Sequence, residues 1–96
     1  MTEEKQSEGG KKILIVEDYA VLARMYQNKL RSDGFEVEVA LDGEEGERLI
    51  KELKPDLVLL DIMLPEMSGY DICDSVRDDP DLEAVKILMM TARGSA

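Results

Sequence analysis

Cysteine is nearly absent from this chain: Cys73 stands alone, so no intrachain disulfide can form and a reducing compartment is expected. Its neighbours are apolar at helical spacing, so Cys73 reads as a small buried hydrophobe rather than a reactive thiol. Long apolar runs are missing too, which excludes a membrane-spanning helix, and the first residues carry no apolar core of a secretion signal. A soluble, cytoplasmic protein is expected. Basic residues are scarce: 12 Lys and Arg stand against 22 Asp and Glu, a net charge of −10. Such a balance opposes a nucleic-acid surface, which needs clustered cations, and opposes attraction to an anionic membrane. It is compatible with divalent cations or basic partners, although acidity alone speaks mainly for solubility. No internal repeat, heptad or low-complexity block follows the first residues.

What is present is one domain's worth of chain. Met1 to Lys11 read as a tail of Glu, Lys, Gln, Ser and Gly with no apolar residue after Met1. The remainder, residues 12–96, has to build a single core of marginal size. Ile13-Leu14-Ile15-Val16 is a short β-branched run that suits a strand buried on both faces. From Tyr19 to Arg31, Val21, Leu22, Met25 and Leu30 recur at helical spacing, and Gly34 supplies a left-handed stop. Phe35 to Val39 alternates with period two, as a half-exposed strand does. Asp42 is a candidate cap for a helix from Gly43 to Leu53, with Leu49, Ile50 and Leu53 inward and Lys54-Pro55 ending it. Asp56 to Leu60 forms another buried strand ending at Asp61, and Leu64 to Gly69 a loop. A helix over Gly69 to Arg77 has Ile72, Cys73 and Val76 inward; an acidic turn around Pro80 leads to a last strand, Val85 to Met90. The pattern is βαβαβαβ, an α/β fold with a parallel, doubly wound sheet.

The chemistry lies at the strand ends. Glu17 and Asp18 follow the first strand and Asp61 the third. In open parallel sheets, sites form outside the carboxyl ends of the strands, near the point where strand order reverses. If the first and third strands are neighbours, about 4.8 Å apart, three carboxylates converge, and their repulsion calls for a proton or a cation. Hard oxygen ligands suit Mg2+, and a carboxylate beside Mg2+ can act as a nucleophile towards a phosphoryl group. Taken singly, Glu17 or Asp18 reads more simply as a helix cap, Asp61 as a turn residue, and Thr91 as a strand-end hydroxyl bonded to backbone. The spacing of all of them together favours the functional reading.

Four segments are similar to the receiver domains of two-component response regulators. They are Lys12 to Asp18 at the opening, Ala40 to Glu45, Leu57 to Gly69 with its Asp-to-Pro and Asp-to-Gly spacing, and Ile87 to Ala92. The resemblance implies a flavodoxin-like receiver fold with strand order 2-1-3-4 for the strands present. It implies that Asp61 is the phospho-acceptor and that Glu17, Asp18, Asp61 and the backbone carbonyl of Met63 hold Mg2+. Thr91 would be the switch hydroxyl, with Ala92 leaving space beside it. The implied partner is a histidine kinase or a histidine phosphotransfer protein. The implied activity is a signalling switch with at most Mg2+-dependent self-phosphorylation and dephosphorylation, not a metabolic enzyme. Glu17 stands where the family more often has Asp, keeping the charge on a longer side chain.

By the same resemblance, residues 12–96 form a partial receiver lacking a fourth helix, a fifth strand and a fifth helix, together with the lysine that pairs with the phosphoryl oxygen. The first helix would then cover alone a sheet face that two normally share, leaving Met25 and the outer faces of Ile15, Val58 or their neighbours partly wet. The fourth strand would be an open edge. The alternative function is therefore a shortened receiver that self-associates through that edge, with impaired phosphorylation. A haloacid-dehalogenase-type phosphatase also uses an aspartyl phosphate, but needs a second Asp two residues after the nucleophile, where this chain has Met63. If Met1 to Lys11 has nothing to pack, its amides are expected to exchange with solvent unprotected; strong hydrogen-exchange protection there would show a docked segment.

Overall fold

Strands and helices alternate along residues 10–90, the part of the chain that the computed structural model describes. The expected tail, apart from Gly10 and Lys11, lies outside the described residues, as does Thr91. In chain order the elements are β1 (Lys12–Val16), α1 (Ala20–Ser32), β2 (Glu36–Ala40), α2 (Gly43–Leu53), β3 (Leu57–Asp61), α3 (Gly69–Arg77), a 3-10 turn (Pro80–Leu82) and β4 (Lys86–Met90). No helix among the described residues is long and apolar enough to cross a membrane.

Local chemistry sets the helix ends. The Asp42 carboxylate accepts the Glu45 N–H at 2.8 Å and starts α2. Ser68 does the same for α3, its hydroxyl oxygen accepting the Tyr70 N–H at 3.0 Å. Gly34, at φ +103°, turns the chain out of α1. At the end of α2 the stop is Lys54 itself, held left-handed at φ 47° with its N–H donated to the Ile50 carbonyl. Pro55, which has no N–H to donate, follows it and takes the chain out of the helix.

The four strands form one parallel sheet in the order β2-β1-β3-β4, as expected. Its two faces are unequal. On one, α2 and α3 cover Leu14, Val16, Val58 and Leu60, with Ile50, Ile72 and Val76 packed against them. On the other, among the described residues, α1 alone meets Ile13, Ile15 and Val37 through Ala23, Tyr26 and Leu30.

Geometry decides between the alternatives for the wet surface and corrects the stripe of the first helix. Ile15 pairs with Leu59 while Leu14 pairs with Val58, so Ile15 and Val58 point to opposite sides of the sheet, and both are fully buried. They lie on the two central strands, where the helices reach them. Among the described residues the partly wet apolar surface lies at their neighbours, Leu88 of β4, 56% exposed, with Leu57 and Leu59 half-buried beside it. The buried stripe of α1 also differs. Ala23, Tyr26 and Leu30 follow the i, i+3, i+7 spacing that faces the sheet, which leaves Val21 and Met25 about 60% exposed. A wet Met25 agrees with the expectation; Val21 joins it.

Ile50, fully buried between α2 and the sheet, should therefore matter far more than Met25. Ile50→Ala is expected to cost about 2–5 kcal/mol in urea unfolding, and Met25→Ala less than about 0.5 kcal/mol. Equal costs would contradict this assignment of faces.

Candidate metal centre

The parallel register brings the acidic residues together. Val16 of β1 is opposite Leu60 of β3, so the next residue of each strand, Glu17 and Asp61, leaves the sheet side by side. The Glu17 N–H donates to the Ala40 carbonyl at 3.0 Å, extending the ladder with β2 one step past β1 and fixing Glu17 at the sheet's carboxyl end. On the other side of β3, Asp61 is opposite Met90, and the Ile62 N–H donates to the Met90 carbonyl at 3.1 Å. The backbone on either side of both acids is thus held by neighbouring strands.

Glu17, Asp18 and Asp61 each contribute a carboxylate oxygen to a group whose members lie within 4.8 Å of one another. Glu17 and Asp61 are 2% and 3% exposed, and Asp18 is half-buried. Two unit charges at such a separation repel by roughly 3 kcal/mol at an effective dielectric near 20, less where Asp18 meets solvent. An all-oxygen donor set with two buried anions fits a hard divalent cation, which offsets that repulsion. Both strand-end acids also have local roles of the kind their types suggest. Glu17 Oε2 accepts the Tyr19 N–H at 3.0 Å, and Asp61 Oδ1 accepts the Met63 N–H at 3.0 Å. These bonds orient the side chains at the cluster, so turn chemistry and site chemistry coexist in the same residues.

The loop after Asp61 is short and anchored at both ends. Met63 bridges Ser68, the Gly69 N–H donates to the Ile62 carbonyl at 3.0 Å, and buried Leu64 pins the loop to the core. Met63 sits within that loop with its side chain 59% exposed and its amide on Asp61. The structure thus unites Glu17, Asp18 and Asp61 and sets Met63 beside them; Thr91 lies outside the described residues.

Gly69 meets a positional requirement that the sequence alone does not reveal. A Cβ there would lie 2.7 Å from the Asp61 carbonyl oxygen and 2.9 Å from Ile62 Cα, closer than the backbone tolerates. Gly69 lets the start of α3 close against the end of β3. Its spacing from Asp61 is visible in the sequence, but the close approach depends on how the loop folds back.

Known proteins agree with this arrangement. A family model described as the response regulator receiver domain matches residues 13–96. The chain is 43% identical over 83 residues to the phosphate regulon transcriptional regulatory protein PhoB of Rhizobium meliloti, covering 86% of this chain and 37% of that protein. It is 46% identical over 82 residues to the DNA-binding response regulator MtrA of Mycobacterium tuberculosis, covering 85% and 35%. The chain therefore spans little more than a third of the length of these relatives. Among solved structures, chemotaxis response regulator CheY4 of Vibrio cholerae superposes with a TM-score of 0.83 at 30% identity, covering 90% of this chain and 72% of that one. TrrA of Thermotoga maritima, solved in complex with Mg(2+)-BeF, does so with a TM-score of 0.79 at 32% identity, covering 85% and 70%.

Two outcomes follow from the geometry. Gly69→Ala is expected to destabilise the fold by about 1–3 kcal/mol in urea unfolding, because the Asp61–Ile62 backbone must shift; an unchanged midpoint would contradict the close approach. With chelator present, Asp61→Asn is expected to melt higher than the parent chain, since one charge of the cluster is gone. Adding Mg2+ should raise the parent's melting temperature more than the variant's. A variant that gains as much from Mg2+ as the parent would remove Asp61 from the cation site.

Proposed function

This chain belongs to the response regulator receiver domain family, and on that premise we propose that Asp61 is its phospho-acceptor, working with Mg2+ held by Glu17, Asp18, Asp61 and the backbone carbonyl of Met63. The observation that carries the proposal is the meeting of three carboxylates at the ends of two adjacent parallel strands. The donor is a phosphorylated histidine on a histidine kinase or phosphotransfer protein, encountered in the cytoplasm.

In this reading one Asp61 carboxylate oxygen attacks the phosphorus. An O–P bond forms, the P–N bond to the donor imidazole breaks, and the departing nitrogen takes a proton from solvent. Glu17, Asp18, Asp61 and the Met63 carbonyl would hold Mg2+, which would supply positive charge to offset that of the carboxylates and the phosphoryl group. The chain's own residues do the positioning. The Met63 N–H holds Asp61 Oδ1, the β4 ladder holds the Asp61 backbone, and the Tyr19 N–H holds Glu17. Thr91 directly follows Met90, the strand partner of Asp61, and its hydroxyl is proposed to bond a phosphoryl oxygen after transfer. Met63 stands two residues after Asp61, where a haloacid-dehalogenase-type phosphatase would need a second Asp, so a signalling switch is favoured over that phosphatase.

A second proposal rests on Leu88. Among the described residues it lies 56% exposed on the sheet face that α1 covers, on a strand that forms an edge. Self-association through β4 would bury it. Leu88→Glu is expected to lower the mean mass seen by sedimentation equilibrium at high concentration; a parent chain that stays monomeric throughout would contradict this.

Incubation with acetyl phosphate and Mg2+ is expected to add one phosphoryl group by intact-mass measurement, absent in Asp61→Asn and reduced in Asp18→Asn. Undiminished labelling of Asp61→Asn would place the acceptor elsewhere.

A further inference from the structure

A groove of about 490 Å³ opens between the start of α2 and the loop that follows β3, and none of its lining residues belongs to the Glu17–Asp18–Asp61 cluster. Its lining is Asp42, Gly43, Glu44 and Glu47 from the helix side and Pro65, Glu66 and Met67 from the loop. The floor forms where α2 and the loop touch. A Cβ on Gly43 would lie 2.9 Å from the Met67 sulfur, so the glycine is what lets the thioether close the bottom of the groove. The volume falls within the range of pockets that enclose a small ligand or a few side chains.

The chemistry of the lining is one-sided: four carboxylates, three apolar or backbone surfaces and no cation. Two of the four are already engaged. Asp42 caps α2 by accepting the Glu45 N–H, while Glu47 accepts the Ser75 hydroxyl at 2.6 Å and pairs with Lys51 at 3.6 Å. The Ser75 bond also ties α2 to α3 and holds that wall in place. Glu44 and Glu66, both exposed and on opposite walls, make no ion pair with any described residue. The nearby cation on α2, Arg48, is turned to Glu45 and Glu52 instead.

We propose that this groove docks a basic segment of a partner protein, taking an Arg or Lys side chain whose methylene stem lies on Met67 and Pro65 and whose charge sits between Glu44 and Glu66. Charge complementarity selects the occupant. An anion or a neutral apolar group would meet four carboxylates, whereas a long cationic side chain satisfies both the apolar floor and the acidic walls. The net charge of −10 draws such a segment in from a distance. The loop lining one wall also carries Met63, whose amide bonds Asp61, so an occupied groove touches the segment that orients the strand-end acid. The docking surface does not depend on Asp61 being an acceptor.

The test is an amide chemical-shift titration of the full chain with a capped Arg-Leu-Arg-Leu-Arg peptide, its citrulline counterpart and spermidine. Expected are shifts centred on Gly43, Glu44, Glu66 and Met67, absent with the citrulline peptide and weaker with spermidine. Neutralising both free walls, Glu44→Gln with Glu66→Gln, should weaken the peptide by roughly fivefold or more, while the remote pair Glu52→Gln with Glu83→Gln leaves affinity unchanged. Melting curves check that each variant is folded. Shifts centred on Asp18 and Asp61, equal loss in the remote pair, or no shift at all would overturn the proposal. Spermidine binding as tightly as the peptide would overturn the protein-segment reading in favour of a small polycation.

Discussion

The parallel pairing of β1 with β3 is the constraint on which the rest depends. Because Val16 is opposite Leu60, the residues that follow have nowhere to go but side by side at the sheet's carboxyl end, and those residues are Glu17 and Asp61. Burying two carboxylates next to a third is costly unless a counter-charge is present. The apolar core holds the arrangement regardless: Leu14, Val16, Val58 and Leu60 are all fully buried immediately beneath it. The hydrophobic sheet thus supports an edge on which like charges are held close together.

Local hydrogen bonds and close packing keep that edge in order. Hydrogen bonds from the Tyr19 and Met63 amides aim Glu17 and Asp61, and two glycines allow close packing around them. Gly69 admits the start of α3 against the end of β3. Gly46, whose Cβ would lie 2.8 Å from a Val16 methyl, lets α2 lie flat on β1 one residue before Glu17. A side chain at either position would lift a helix away from the strand that carries an acid.

Much of this is legible in the residues. Strand runs such as Ile13 to Val16 and Val85 to Met90, the cap at Asp42 and the stop at Gly34 all depend on neighbours in sequence, and the elements end within a residue or two of where the pattern places them. The acid cluster is legible because strand ends and parallel order together dictate it. What depends on three-dimensional facing is not. Val21 and Met25 share helical spacing with Leu22 yet turn outward, since period alone cannot say which stripe meets the sheet. Whether Ile15 and Val58 or their neighbours are partly wet is not legible either, and only the register shows that these two lie on opposite faces and are each buried. The groove between α2 and the loop is invisible for the same reason: Glu44 and Glu66 are 22 positions apart in sequence (66 − 44) and meet only in the fold.

If the strand-end acids act together as one cation site, amide chemical shifts followed during a Mg2+ titration show it most directly. Saturable movement is expected in the millimolar range, centred on Glu17, Asp18, Asp61 and Met63, with the amides around Glu44 and Glu66 little changed. Resonances at Asp18, Asp61 and Met63 that stay in place while Mg2+ is raised, or that move only after those of the acidic groove, would contradict a shared site.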